Sequence, residues 1–378
     1  MRLSESSWSS SASGLLVALS PSLLILCTYL GTCAALLVWV YSKASSASAS
    51  ASASASASGV SSKRSRSRLW KVGSLLSLAF TWYFMLAFLR YSYVDYVNSS
   101  RTLKASTLQC LKDWLDNTRL FEQAWLRVVQ GPREWWFSSE ICVITTGAWT
   151  LWIRARQRQG KLRYPAAYMV LGQIVAISVA AALSFLAVAE DTTDASTSPP
   201  DDSSSSSAPG KGRRPQDKRQ NSAASWVLLL ELVFFAAGAW AVSSPPRDLL
   251  QILTMHIFPL LLVLLPPSDA RHFRFLALGL SIYAAALRIR NTLAVFTTLQ
   301  AQETFIEALW NTFWAHPAQG SISSDHVAVS QLVSSRILSE CSSSSTIRAN
   351  RSGIALASLT PLLGPACTLA AWVAITHE

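Results

Sequence analysis

Residues 164–189, YPAAYMVLGQIVAISVAAALSFLAVA, carry no charged side chain. About 20 apolar residues of helix cross the hydrocarbon core of a bilayer, so this stretch is long enough to span. The segment before it, residues 154–163 (RARQRQGKLR), is strongly basic; the segment after it is Ser-rich and mixed in charge. Positive charge beside an apolar span marks the cytoplasmic side, so the span is expected to start inside and end outside. Gly172, Ala176, Ala180 and Ser184 recur at four-residue spacing and place small side chains on one helix face. Such faces let helix backbones approach closely in lipid. The stretch is therefore expected to be one helix at the hub of a bundle, with Gln173 as inter-helix glue.

The composition of the whole chain agrees. Of 378 residues, 51% are hydrophobic and only 14% charged, and the apolar residues come in long blocks. Blocks of that length point to a polytopic membrane protein over a large soluble core. The formal charge of +11 sits in loops beside apolar blocks. That pattern is topology signalling and contact with anionic lipid, and no nucleic-acid partner is expected. The six cysteines form no C-x-x-C pair, so neither a metal knuckle nor a redox motif is supported. Trp39, Trp70, Trp135, Trp136, Trp152, Trp226, Trp240 and Trp372 fall near span ends, where an interfacial aromatic belt is expected.

Taken in order, residues 1–43 are a polar start and a first span (14–41). Residues 44–69 are an Ala-Ser tract and a basic run, expected to be a flexible linker. Residues 70–378 are the membrane bundle, with a Ser-rich disordered loop at 190–224. Spans are expected at 70–89, 135–153, 164–189, 225–242, 249–265, 275–299 and 354–375, the last interrupted by Pro361 and Pro365. The fold class is all-α, a polytopic integral membrane bundle of seven or eight transmembrane helices. Between the second and third spans, Leu108, Leu111, Leu115, Phe121, Trp125 and Val128 recur at helical steps and predict an amphipathic helix or helix pair. The same loop holds the sequon Asn98-Ser99-Ser100, which faces the lumen when the amino terminus lies outside. Residues 300–352 read as a polar segment with a weakly amphipathic patch at Val327 to Leu338.

Ionisable groups inside apolar spans are costly and mark functional sites. Here they are Glu140, Glu231, His256, Arg288 and Arg290. At the helical rise, Glu231 and His256 lie about 16 and 11 Å from the inner ends of their spans, with Arg288 and Arg290 about 13–17 Å deep in the next. Glu231, His256 and Arg288 are the candidate catalytic residues, as a proton-handling cluster; the alternative is a structural ion pair that locks three helices. Glu140 is read as an interfacial residue. Asp191, Asp194, Asp201 and Asp202 fall in the Ser-rich loop and read as a solvated linker over a Mg²⁺ site. No cofactor and no metal is expected.

Four motifs carry a family resemblance: LFEQAW at 120–125, PREWW at 132–136 with Ser138, AYMVLGQIVAIS at 167–178, and HPAQGSI at 316–322 with Asp325. Over roughly residues 80–330 the chain resembles polytopic fungal membrane proteins encoded in secondary-metabolite clusters, above all those of indole-diterpene (paxilline-type) clusters. The resemblance implies a multi-pass protein of an endoplasmic-reticulum-type membrane, without an assigned catalytic residue. After Asp325 the chain departs from it, being more polar than the membrane helix expected there. The implied role is accessory or organising: its partners are the lipid bilayer, other biosynthetic enzymes and a lipophilic terpenoid intermediate. A membrane terpene cyclase using a buried acid such as Glu231 is the alternative. A transporter is a further one, although no inverted repeat is seen in the sequence.

Overall fold

The computed structural model describes residues 21–53, 60–99, 107–188, 216–266, 270–342 and 347–376. Every regular element among them is a helix. Helix α1 (Pro21–Ala53) runs on through the start of the Ala-Ser tract expected to be a linker. Alanine at every second position favours helix enough to carry it that far. Of the loop expected at 190–224, residues 190–215, with Asp191, Asp194, Asp201 and Asp202, lie outside the described residues, and residues 216–224 are helical instead. Helix α2 (Val60–Ser99) absorbs the basic run and continues past the expected span end. Asn98 therefore sits exposed in the last turn of a long helix rather than in a loop.

The amphipathic pair is present as α3 (Thr107–Asn117) and α4 (Leu120–Arg127). Trp114, Leu115 and Leu120 bury their apolar face against Phe88 of α2. A rod of α5 (Pro132–Val143), a π-helical turn (Ile144–Ala148) and α6 (Trp149–Arg158) follows. The hydroxyls of Thr145 and Thr146 donate to the carbonyls of Ile141 and Cys142 at 2.6 and 2.7 Å around that turn.

The expected hub helix is central but not continuous. It is split into α7 (Pro165–Ile174) and α8 (Ile177–Val188). Every residue of α8 is buried, with α1, α2 and α13 packed around it. One indole shows how far the halves depart from a line. Trp149 donates from Nε1 to Ser184 Oγ at 3.3 Å, and its ring edge lies 3.1 Å from where a Cβ on Gly172 would stand. In an unbroken helix those positions would be about 18 Å apart. The halves bend sharply around Trp149, and the small residues at 172 and 184 make room for its ring.

Helices α9 (Gln216–Val242) and α10 (Leu249–Leu264) form a hairpin, with the Asp248 side chain accepting from the Gln251 N–H at 2.8 Å. Next come α11 (Ala270–Phe296) and α12 (Phe305–Ala315), the latter opened by a Thr304–Glu307 capping box. Helix α13 (Pro317–Cys341) occupies much of the stretch read as a polar segment, and includes its amphipathic patch at 327–338. It lies against α2, α8 and α5 in the middle of the bundle.

The last expected span is two helices, α14 (Ile347–Leu363) and α15 (Pro365–Thr376). A Cβ on Gly353 would stand 2.9 Å from the Trp372 ring, and Thr360 and Thr368 share a hydroxyl hydrogen bond of 3.1 Å. Residues 353 and 372 would be about 28 Å apart in one helix. The segment is thus a tight hairpin that turns at Gly364. Sequence length alone had matched a single crossing.

Packing is inverted relative to a water-soluble domain. Leu75, Leu76 and Phe80 on α2, Leu229 and Val233 on α9, and Phe275, Leu278 and Ile282 on α11 face outward. Glu140, Arg154, Glu231, Arg288, Asp325, His326 and Arg336 are buried. Among the described residues three helices, Pro21–Ala47, Ser65–Ser99 and His272–Phe296, are long and apolar enough to cross a membrane. An apolar exterior of this extent belongs against lipid. The aromatic belt is corrected in part: Trp226 and Trp240 are exposed, but Trp70, Trp135, Trp136, Trp152 and Trp372 are core residues. Their ring faces and N–H groups serve the polar interior instead of an interface.

The hairpin tip supplies a test. Gly364 has φ +86°, and a Cβ there would fall 2.4 Å from Glu140 Oε2. Gly364→Ala is expected to cost about 1–3 kcal/mol from backbone strain and the clash. Thermal unfolding in detergent checks this. Adding Glu140→Ala should recover only the part due to the clash.

Candidate functional site

The break between α7 and α8 frees backbone groups that a buried site must satisfy. Two elements supply partners. Asp325 of α13 accepts from the Ser178 N–H at 2.8 Å and from the Ile177 N–H at 3.2 Å, one bond to each carboxylate oxygen. On the other side of the break, the Ile174 carbonyl accepts from Tyr29 Oη at 2.7 Å and from Cys33 Sγ at 3.5 Å. Asp325 is thus a remote cap on α8, placed where the positive end of the helix dipole favours a carboxylate.

Beside this break lies a cavity of about 520 Å³, the volume range of small-molecule sites. Its walls come from α1, α2, α4, α5, α7, α10 and α13. They are mostly apolar and aromatic, including Phe88, Phe121, Trp125 and Trp135. The polar groups are few. Ser138 is tied to the Val128 carbonyl at 2.6 Å and Thr145 to that of Ile141, so neither hydroxyl proton is free. His256 stacks on Trp125 at 5.2 Å between centroids and uses Nδ1 on the Ile252 carbonyl. Its Nε2 is left to face other partners. Among the described residues the Gln173 amide meets protein through a 3.9 Å contact to Met169 Sδ on its own helix, so it lines the cavity instead of gluing helices. Thr81 Oγ1 is buried at the same wall without a partner among the described residues. The arrangement can enclose a lipophile and offer a few hydrogen bonds at one end.

The sequence candidates do not meet as one cluster. Glu231 pairs with Arg154, both side chains fully buried. Arg154 also donates to the carbonyls of Leu262, Leu265 (3.2 Å) and Pro266 (2.9 Å) at the end of α10. It was expected in a basic cytoplasmic loop; it is instead the clamp that joins α6, α9 and α10. His256 lines the cavity, away from that pair. Arg288 lies on α11 with its guanidinium 3.5 Å from the Trp136 ring centroid. No hydrogen bond or ion pair joins Glu231 to either of them among the described residues. Glu140 is fully buried rather than interfacial.

Other ion pairs hold the ends. Arg133 grips Glu303 with two hydrogen bonds of 2.9 and 2.7 Å and holds its carboxyl below the usual carboxylate range. Arg156 and Arg336 each reach Glu340 at 2.6 Å. His316 is a helix cap, its Nδ1 accepting from the Ala318 N–H at 3.1 Å. Among the described residues, no three His, Cys, Asp or Glu side chains gather as a metal site.

Sequence reasoning missed Asp325 as a site residue, although it stood in a resemblance motif. The usable signal was an acid on a helix that also begins with His-Pro and carries many serines, the make-up of a polar helix inside a bundle.

The Arg154 clamp predicts an asymmetry. Arg154→Met strands Glu231 and takes a donor from the Leu262, Leu265 and Pro266 carbonyls, and is expected to cost about 3–5 kcal/mol. Glu231→Gln leaves Arg154 its carbonyl partners and should cost clearly less. Denaturation of both variants in the same detergent measures the difference. No family model, curated protein or solved structure matches this chain.

Proposed function

We propose that this chain is a multi-pass membrane protein that holds a lipophilic intermediate of a terpenoid-type pathway. Its role is accessory: it receives the intermediate from the bilayer and presents it to partner enzymes. A fungal secondary-metabolite setting in an endoplasmic-reticulum-type membrane follows from the sequence resemblance alone. The single observation that carries the binding role is the cavity of about 520 Å³ at the helix break, walled by aromatic and aliphatic side chains.

Between holding and cyclisation, the disposition of acids favours holding. Glu231 is absent from the cavity lining and engaged by Arg154. Asp325 does line the cavity, but both its oxygens serve as acceptors for the α8 N-terminus. A general acid must deliver a proton to the substrate within hydrogen-bond reach. Neither carboxylate is disposed for that. The aromatic walls suit a rigid, ring-rich lipophile, and Gln173 and His256 suit a hydroxyl or N–H on it.

The test is co-purification. Wild-type protein made in a host running the pathway is expected to retain a lipophile that mass spectrometry of an organic extract detects. Ala124→Trp, which fills the cavity from α4, should reduce the retained amount at least tenfold with little change in unfolding temperature. Equal retention by both proteins would sink the cavity reading. If Asp325→Asn retains the lipophile yet abolishes formation of a cyclised product, the cyclase reading replaces this one.

A further inference from the structure

Helices α5 and α13 each face two ways. α5 turns Trp135, Ser138, Ile141 and Cys142 to the cavity, and α13 turns Asp325 to it. The adjoining residues, Trp136 and Glu140 on α5 and His326 on α13, meet on the far side with Arg288 of α11 and the tip of the α14–α15 hairpin. His326 packs its ring 5.4 Å from Trp136 and 5.6 Å from Phe137. Arg288 covers the Trp136 face. The Ala366 N–H faces the Glu140 carboxylate, and Gly364 leaves room for it.

Three buried polar atoms on this side have no hydrogen-bond partner among the described residues, Glu140 Oε2, Arg288 Nη1 and His326 Nδ1, and the Arg288 charge acts on both Glu140 and His326. All three residues are less than a tenth exposed. One is an acceptor, one a donor, and one takes either part according to its tautomer. Three complementary groups can hold a water between them. An acid, a base and a fixed guanidinium together are the make-up of an intramembrane proton relay. The guanidinium repels a metal cation, so the carboxylate is not set up as a cation site.

The surrounding charges are already engaged. On α5, Arg133 is paired with Glu303. On α11, Arg290 bonds Asn291, which in turn donates to Ser139 at 2.8 Å. On α13, Asp325 is held by the α8 N–H groups. On α9, Glu231 is held by Arg154. On α12, Glu307 closes the capping box at Thr304. On α15, Cys367 Sγ meets Ser281 Oγ at 3.5 Å. Glu140 and His326 are left to share whatever proton enters.

We propose that Glu140, His326 and Arg288 form a buried proton-exchange site at the tip of the α14–α15 hairpin. A proton from bulk water adds to Glu140 Oε2 or His326 Nδ1 and returns to bulk water; Arg288 keeps its charge, and nothing is oxidised or reduced. The site is independent of the cavity's occupant.

Trp136 reports on it, because its ring touches both Arg288 and His326. Tryptophan fluorescence of the full chain in nanodiscs, titrated from mildly acidic to mildly alkaline pH, is expected to show a step that loses more than half its amplitude in Trp136→Phe. The midpoint should move by about one pH unit or more, or the step vanish, in Glu140→Gln and in His326→Gln. Glu122→Gln, in a surface pair with Arg119 on α4, should keep it. Absence of the step in wild type overturns the proposal, as does a step unchanged in both Glu140→Gln and His326→Gln. A signal that follows chloride concentration at fixed pH overturns it in favour of an anion site. If Glu140→Gln does not fold, His326→Gln and Arg288→Lys decide: an unmoved midpoint in both overturns the assignment.

Discussion

A backbone that leaves helical geometry inside an apolar bundle has no water to complete its hydrogen bonds, so other parts of the chain must complete them. The break between α7 and α8 imposes that requirement at the centre of this protein. Asp325 meets it from α13, and Tyr29 and Cys33 meet it from α1. Both helices are thereby fixed around α8. The cavity then exists because two bent half-helices cannot fill the space that a straight one would.

The same economy runs through the interior. Arg154 serves Glu231 and three carbonyls at once, and Glu340 serves two arginines together with the Trp372 N–H. Buried charges are tolerated only when paired and hydrogen-bonded. Indole rings add a second kind of partner: Arg288 on Trp136, and Arg156 and Arg336 near Trp152. Cation–π contact of this sort gains strength where the cation is desolvated. It accounts for tryptophans in the core that their positions near span ends assigned to an interface.

Long apolar helices were legible because their signal is local. Residues 249–265 match α10 closely, with Pro-Pro pairs at both ends, while 225–242 ends with α9 but misses its start at Gln216. The amphipathic pair at 107–127 was legible from its periodicity. What escaped depends on partners distant in the chain. Helix α13 reads as a polar segment, because the groups that satisfy Asp325 and one side of Arg336 belong to α8: the Ile177 and Ser178 N–H groups and the Phe185 carbonyl. The α14–α15 hairpin has the length of one span, and only its contacts with Trp372 and Glu140 reveal the turn at Gly364. Glu231 announced itself as an ionisable group in an apolar run, but its partner was hidden in a basic stretch that had an explanation of its own.

The polarity of α13 bears on how the protein is assembled. An Asp or Arg near the middle of a helix opposes its insertion by roughly 3 kcal/mol each, and α13 carries Asp325, Arg336 and a run of serines. In a chain inserted helix by helix, α13 could not enter lipid by its own hydrophobicity. By the time it emerges from the ribosome, α2 and α8 have already been made, and they offer the surface and the N–H groups that neutralise it. Its integration is therefore a docking event. The α14–α15 hairpin is synthesised after α13, and closes over a helix already seated.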